Sequence, residues 1–391
     1  MNPFNASQMV VENLKPFING SRVSELLGVL LMTFMLGCGS ADYRPRAVGP
    51  EGLLTVVIDS SQWNGEVGDA IRETLGGYIQ TLPVPEPSFE LKPAALSSQQ
   101  ALEVIKKQKN IVIAAPLSDS SNIVSQFISS RLDPSVKEMI QSGQPGVIPR
   151  PNLWRKDQMV VYLTADTPDQ LVSAIHEKSE DLLYTFNNIT RQRTEVEMFK
   201  RGRQFEIEDE LLEKYGFAVN AQHDYFVAVD TTNFIWLRRV ISSETWRSLF
   251  IYFEDNANPG DLSPEWIYAK RDSLTKEHME GTVAGYVEID RRRTLNTENI
   301  NFLDRYGFET RGLWHMVIDE EGQTLPIGMG GAFLTYAFYD EDSGRNYLID
   351  GMIFAPNFPK REFLRQMEVI AHTFRSQEEA IDSNVVAAST D

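Results

Sequence analysis

The chain has 391 residues and a formal net charge of −18 at pH 7, and 42% of its residues are hydrophobic. A body this acidic repels phosphate backbones and anionic lipid surfaces, so we expect no binding to nucleic acids. The length is sufficient for two ordinary hydrophobic cores, and two domains are therefore expected.

Residues 26–36 form an apolar run that ends just before Cys38, the only cysteine of the chain. Eleven residues are too few to cross a bilayer, which takes about 20 helical residues, but they suit the core of an export signal over residues 1–37. The sequence MLGC at residues 35–38 resembles the lipobox of bacterial lipoproteins. That resemblance implies cleavage between Gly37 and Cys38 and acylation of Cys38, for example by palmitate. The alternative is a buried thiol in an N-terminal helix.

Lipidation determines where this protein is expected to reside. Two or three acyl chains on Cys38 would hold the protein on a membrane, because each buried methylene contributes about 0.8 kcal/mol. Residues 38–52 combine glycine, proline and charge without periodicity, which predicts a tether. We expect a cell-envelope protein anchored to the lipid bilayer, in the outer membrane and facing the periplasm; a surface-exposed orientation stays open.

Residues 53–203 alternate strand-like and helix-like stretches, which favours a layered α/β domain. The predicted strands are residues 53–58, a stretch near residue 90, 110–116 and 158–165, and the predicted helices are 68–78, 98–108 and 122–132. A long helix follows, with Thr167 as its N-cap and Pro168 at its first position. The apolar stripe of this helix, which we interpret as core, consists of Leu171, Ile175, Leu182, Phe186, Ile189 and Val196.

Residues 204–376 are rich in strands, which favours an α+β domain with an antiparallel sheet packed with helices. The predicted strands are residues 224–229, 234–240, 248–253, 282–289 and 312–318 and the hairpin 331–355, and the predicted helices are 205–216 and 360–374. Residues 297–307 are also predicted to be a helix ending at glycine, because FLDRYGF resembles the LLEKYGF of the helix at 205–216. The acidic, aperiodic residues 377–391 are predicted to be disordered.

Several segments together resemble one family. They are VVIDSSQWNGEVGDAI (56–71), LPVPEPSFEL (82–91), RGLW (311–314), MGGAF (329–333) and FAPNFPKREFLRQMEVI (354–370). Over nearly the whole mature chain the sequence resembles uncharacterised Bacteroidota lipoproteins that are known only as a domain of unknown function. The resemblance implies an envelope lipoprotein and no particular chemistry. The C-terminal half is also similar in architecture to PsbP-like α/β/α sandwiches, which commonly serve as accessory subunits on membrane complexes.

The sequence contains no recognisable catalytic or cofactor motif. The five histidines are far apart and lack the spacing of a zinc site, and the glycines at 328–331 lack the lysine of a phosphate-binding loop, so we predict no metal and no cofactor. We interpret those glycines as a strand bulge and DNANPGD at 255–261 as a solvated turn. Paired carboxylates cannot be recognised among 55 acidic residues.

Two groups of residues are candidates for a binding surface. Arg361 and Arg365 lie one turn apart on the final helix and, with Lys360, predict a positive strip, unless they pair with surface acids. The second group, typical of interface hot spots but also compatible with a core, is Trp236, Trp314 and Arg311.

These observations predict a lipid-anchored envelope protein that acts without catalysis, as a binding or accessory subunit with an envelope protein partner. The alternative is an envelope hydrolase for glycan or peptide that uses paired carboxylates in a cleft between the domains. Convergent acidic side chains in such a cleft would favour the hydrolase.

Overall fold

The computed structural model describes residues 42–279 and 285–381. From Arg46 onward these residues form one compact unit. The predicted signal segment with Gly37 and Cys38, residues 282–284 of a predicted strand and residues 382–391 of the predicted tail lie outside the described residues.

A five-stranded sheet forms the centre of the first region, with the strand order β4-β1-β5-β7-β6. Its strands are β1 (Leu53–Val57), β4 (Glu90–Ala94), β5 (Asn110–Ala114), β6 (Gly146–Pro151) and β7 (Met159–Thr164), and a small hairpin comprises β2 (Tyr78–Ile79) and β3 (Glu86–Pro87). All neighbours pair in parallel except β6 with β7. Every residue of β5 is buried, as expected for a central strand covered on both faces.

Helices cover both faces of this sheet. They are α1 (Ser60–Trp63), α2 (Glu66–Leu75), α3 (Gln99–Ile105), α4 (Ile123–Ser129), α5 (Pro134–Gln141), α6 (Pro168–Glu177) and α7 (Ser179–Phe199). The predicted start of the long helix is confirmed, because Thr167 and Gln170 form a capping box and Pro168 follows the cap. The helix is interrupted at Lys178, which ends α6 and precedes α7.

The second region contains an eight-stranded antiparallel sheet in the order β12-β14-β15-β16-β11-β10-β9, with β13 also paired to β14. Its strands are β9 (Phe226–Asp230), β10 (Phe234–Ser242), β11 (Thr245–Glu254), β12 (Tyr286–Ile289), β13 (Asn296–Phe302), β14 (Arg305–Glu320), β15 (Gln323–Asp340) and β16 (Arg345–Phe354). The predicted fold class, a layered α/β region followed by an antiparallel α+β region, is therefore confirmed. The predicted boundary at residue 203 falls between α7 and the helix that follows it.

In the part of the chain that the structure describes, three helices pack on this second sheet. They are α8 (Phe205–Tyr215), α9 (Pro264–His278) and α10 (Arg361–Ala371), and the short strands β8 (Phe217–Ala218) and β17 (Arg375–Ser376) pair with each other. Leu364 and Ile370 of α10 belong to the core on one face, whereas Leu274 of α9 belongs to the core on the other. The layers of the second region are therefore helix, sheet and helix.

The predicted helix at residues 297–307 is wrong, because this segment is a hairpin between β13 and β14. Its turn residues Leu303 and Asp304 both have positive φ, 51° and 64°. Phe302 instead points into the core and stacks on Tyr336 with ring centroids 4.5 Å apart. The two similar segments are thus not a structural repeat.

Both ends of the predicted folded body need correction. The tether does not extend to residue 52, because Arg46 and Val48 form bridges to Lys156 and Gln108, so the packed chain begins at Arg46. At the other end, residues 377–381 are helical and Ala380 is 5% exposed, so these residues of the predicted disordered tail are ordered.

Candidate functional site

The predicted tryptophan surface is part of the core. Trp314 is 1% exposed, stacks on Trp246 at 5.5 Å between centroids and donates from Nε1 to the carbonyl of Ile353. Trp236 is 9% exposed. Neither side chain offers a contact surface, and the core alternative is the correct one.

Arg311 is held inside an ion-pair cluster. Its Nε and Nη2 each lie 2.5 Å from a carboxylate oxygen, of Glu309 and Glu368 respectively. These two negative charges raise the pKa of Arg311 against the opposing effect of burial. Its charge is therefore compensated within the fold and is not available to a partner.

The cations of the final helix are also buried. The side chain of Arg365 is 6% exposed and lies 2.9 Å from Glu362, and that of Arg361 is 10% exposed and donates to the carbonyl of Pro87 at 2.7 Å. Lys360 is 8% exposed and donates to the carbonyl of Pro356. The prediction of an exposed positive strip is wrong, because these groups pair within the protein.

These cations join the two regions. Glu86 of β3 accepts hydrogen bonds from the backbone N–H groups of Lys360 and Arg361 and so caps α10. Arg365 lies over the ring of Phe89, at 5.5 Å from its centroid. The helix predicted to bind a partner instead binds the first region of its own chain.

Beside this junction a cleft of about 890 Å³ opens between the regions. Residues 46–51 with Lys109 and Asp157 form one wall, α7 contributes the middle, and the second sheet with α10 forms the other wall. The apolar stripe predicted to be core along α6 and α7 does not extend to its last residue, because the cleft opens there. Val196, assigned to that stripe, is 56% exposed and lines the cleft.

Positive charge predominates in the cleft, in a chain of net charge −18. Its seven cationic residues are Arg46, Lys109, Arg193, Lys200, Arg201, Arg239 and Arg247, and its four acidic residues are Glu51, Asp157, Glu197 and Glu362. A concave surface with this excess concentrates anions.

Each acidic side chain of the cleft already has a cationic partner. Glu51 bridges Lys109 at 2.5 Å and Arg193 at 2.8 Å. The remaining pairs are Asp157 with Arg46, Glu197 with Lys200, and Glu362 with Arg361 and Arg365. General acid catalysis by a carboxyl requires an environment that favours its protonated form, whereas adjacent cations favour the ionised form.

Arg247 differs from the other cations of the cleft. It is 5% exposed, and no carboxylate of the described residues lies within ion-pair distance of it. Its Nη1 donates to Gln366, its guanidinium lies 4.2 Å from the ring centroid of Phe363, and its buried Nε has no partner among the described residues. Burial lowers the pKa of Arg247 to about 10.

A second cation lies directly across from Arg247. Arg239 of β10 and Arg247 of β11 are register partners, and like charges opposite each other in a sheet are destabilising. The charge of Arg239 is compensated by Asp224 at 2.8 Å, and its Nη1 donates a hydrogen bond to the Gln222 side chain at 3.1 Å. The pair therefore retains one uncompensated positive charge that faces the cleft.

The signal for Arg247 in the sequence is its position in the alternating pattern of β11, not its residue type. Side chains alternate along a strand, so Arg247 shares its face with Leu249, Ile251 and Phe253, which are all core residues. A cation in the phase of a core stripe is unusual. The sequence does not indicate that Arg239 lies opposite Arg247 in the sheet.

The structure also bears on the predicted glycine bulge, on metal sites and on membrane-spanning helices. Gly328 has φ +77° beside an irregularity in the β14–β15 register, which confirms the bulge interpretation. In the described parts of the chain, no three His, Cys, Asp or Glu side chains cluster as a metal site would require. Within the same parts, no helix has both the length and the apolarity to cross a bilayer.

Both regions are similar to families without known chemistry. Residues 204–373 match the family model of a domain of unknown function (DUF4837), and residues 47–199 match that of another (DUF8532). The limits of these matches agree with the two sheet regions. No curated protein matches the chain.

Two solved structures show low similarity. One is the Saccharomyces cerevisiae Ran-binding protein Mog1p, at 10% identity and a TM-score of 0.28, covering 41% of this chain and 90% of that chain. The other is a Bacteroides thetaiotaomicron VPI-5482 protein, at 8% identity and a TM-score of 0.23, covering 43% of this chain and 47% of that one.

Proposed function

We propose that this chain is a lipid-anchored cell-envelope protein that binds an anionic ligand, without catalysis, in the cationic cleft. The ligand carries a carboxylate or phosphate group, which arginine recognises through paired N–H donors. The protein acts as a binding or accessory subunit in the envelope, acylated at Cys38, facing the periplasm from the outer membrane and associated with an envelope protein partner.

The observation that carries this proposal is the uncompensated charge of Arg247. Burying an unpaired cation is expensive, and removing a partner from a buried ion pair typically destabilises a protein by several kcal/mol. A bound anion would supply the missing charge and accept from the free Nε. The cleft volume of about 890 Å³ lies within the range of small-molecule sites.

The anchor has separate support in the sequence, from the apolar run at 26–36 and the MLGC segment that ends at Cys38. The hydrolase alternative has less support. Its cleft carboxylates Glu51, Asp157, Glu197 and Glu362 all have cationic partners, as described above.

The test is calorimetric titration of the full chain in detergent with inorganic phosphate and with citrate, together with flotation of the Cys38→Ser chain, which lacks the proposed anchor, on phosphatidylglycerol vesicles. Arg247→Gln removes the unpaired cation, and Arg292→Gln removes an exposed arginine outside the cleft as the matched control. We expect saturable binding of at least one free anion or of the vesicles, weakened at least tenfold by Arg247→Gln and unchanged by Arg292→Gln.

The three measurements distinguish a free anion from a lipid headgroup as the ligand, because phosphate and citrate are in solution whereas the headgroup is on a vesicle surface. Absence of binding in all three measurements would overturn the proposal. So would binding that Arg247→Gln leaves intact. Turnover of peptidoglycan fragments that Glu51→Gln abolishes would support the hydrolase instead.

A further inference from the structure

The second sheet ends at β9, which among the described residues pairs only with β10. None of its five residues is buried, and Phe226 and Val227 are 47% and 37% exposed. The other short end strand, β12, has two buried residues of four. Proteins usually protect such an edge with charge, proline or a covering element, because its backbone groups can pair with another strand.

A groove of about 540 Å³ lies between β9 and the neighbouring helix α8. Its floor is apolar and is formed by Ile207, Leu211, Val227 and Ile235. An open strand edge beside an apolar groove can accept an extended peptide, with hydrogen bonds to the backbone and alternate side chains in the groove.

The rim of the groove is acidic. Glu210 and Glu213 of α8 are exposed, and neither forms an ion pair with any described residue. Lys214, the one cation that the described residues place on the rim, is compensated by Asp230 at 2.7 Å. The rim therefore presents net negative charge.

We infer that the β9 edge and the α8 groove dock an extended segment of a partner protein in which apolar residues alternate with lysine or arginine. The segment adds to the sheet as a strand beside β9, places its apolar side chains in the groove and pairs its cations with Glu210 and Glu213. A second copy of this chain fits less well, because it would bring the same acidic rim to the contact. This site is separate from the cationic cleft and does not depend on the anion proposed there.

The experiment uses the full chain and two synthetic eight-residue peptides, one of alternating valine and lysine and one of alternating valine and glutamate. Affinity is measured by fluorescence anisotropy, and hydrogen exchange reports the backbone amides of residues 226–230. We expect the lysine peptide to bind at least tenfold more tightly than the glutamate peptide and to slow exchange in β9.

Two double variants make the test specific. Glu210→Lys with Glu213→Lys reverses the rim, and Glu298→Lys with Glu341→Lys makes the same change of charge at exposed sites outside the groove. The rim variant should lose at least tenfold in affinity for the lysine peptide, and the control should lose little. Equal losses in both variants, no binding of the lysine peptide, or binding without protection of β9 would each overturn the inference. A dimer in light scattering that Val227→Lys dissociates would assign the edge to a second copy and would also overturn it.

Discussion

Replacing Arg247 with methionine should stabilise the free protein. Lowering the pKa of Arg247 from its usual value to about 10 corresponds, at 1.36 kcal/mol per pH unit, to about 3 kcal/mol of unfavourable free energy. Because the pKa of this base is lower in the folded state, the unfavourable term is fully present below about pH 10 and is relieved only as the pH rises above that value.

Part of this gain is offset when the guanidinium is removed. The contact with Phe363 contributes about 1 kcal/mol, and the hydrogen bond to Gln366 contributes about another 1 kcal/mol. We therefore expect Arg247→Met to raise the free energy of unfolding by about 1 kcal/mol, because methionine fills a similar volume.

The assay is equilibrium unfolding in urea at pH 7 without added multivalent anions. Arg365→Met is the matched control, because Arg365 is similarly buried at 6% exposure of its side chain but is paired with Glu362. It should destabilise by about 2 kcal/mol, because hydrogen bonds to charged groups contribute about 1.5–3 kcal/mol and Glu362 is itself half-exposed. Destabilisation of Arg247→Met by more than about 1 kcal/mol would mean that the fold itself compensates this charge, and the argument for a missing anion would fail.

Three further outcomes are expected. Burial and the charge of Arg191 lower the pKa of His372 to about 4, so folding stability should fall by up to about 3 kcal/mol as the pH drops from about 6.5 to 4, and urea unfolding of His372→Gln should lose most of that dependence. Cys38→Ser should abolish labelling by radioactive palmitate and move the protein from the detergent phase to the aqueous phase in a phase-separation assay; unchanged labelling would refute acylation at this residue. Asp304→Gly should raise the melting temperature, with a gain of about 0.5–1 kcal/mol from relief at φ 64°, whereas Asp304→Ala should lower it.

Local signals in the sequence were sufficient to predict those helices and strands that depend mainly on their own residues. The buried runs at β1, β5 and β7 are mostly apolar, and the Thr167 cap lies beside the helix that it begins. Helix α9 was not predicted because its buried face includes Arg271, whose partner Asp350 lies 79 residues away in β16. The hairpin at 297–307 was misassigned because a Tyr-Gly pair follows helices and turns alike.

The candidate site could not be predicted from the sequence alone, because it depends on residues that are close in space but distant in sequence. Arg361 and Arg365 pair with Glu362, which is near them in sequence. Their burial also depends on Pro87 and Phe89, and nothing near residue 361 in sequence indicates those contacts. The strand phase of Arg247 was accessible from the sequence. Its pairing with Arg239, and the lack of an acid beside it, were not.

The cap on α10 has a consequence for how the chain reaches its native state. Glu86 and the backbone N–H of Arg361 are 275 positions apart, so this contact forms only after almost the whole polypeptide has been made and delivered. Contacts of such long separation slow folding and prolong the exposure of unfinished surfaces. A chain that ends before residue 360 would leave Glu86 without its helix and Phe89 without Arg365. We expect such truncated chains to be recognised by quality-control proteases, even though the five-stranded sheet is already complete.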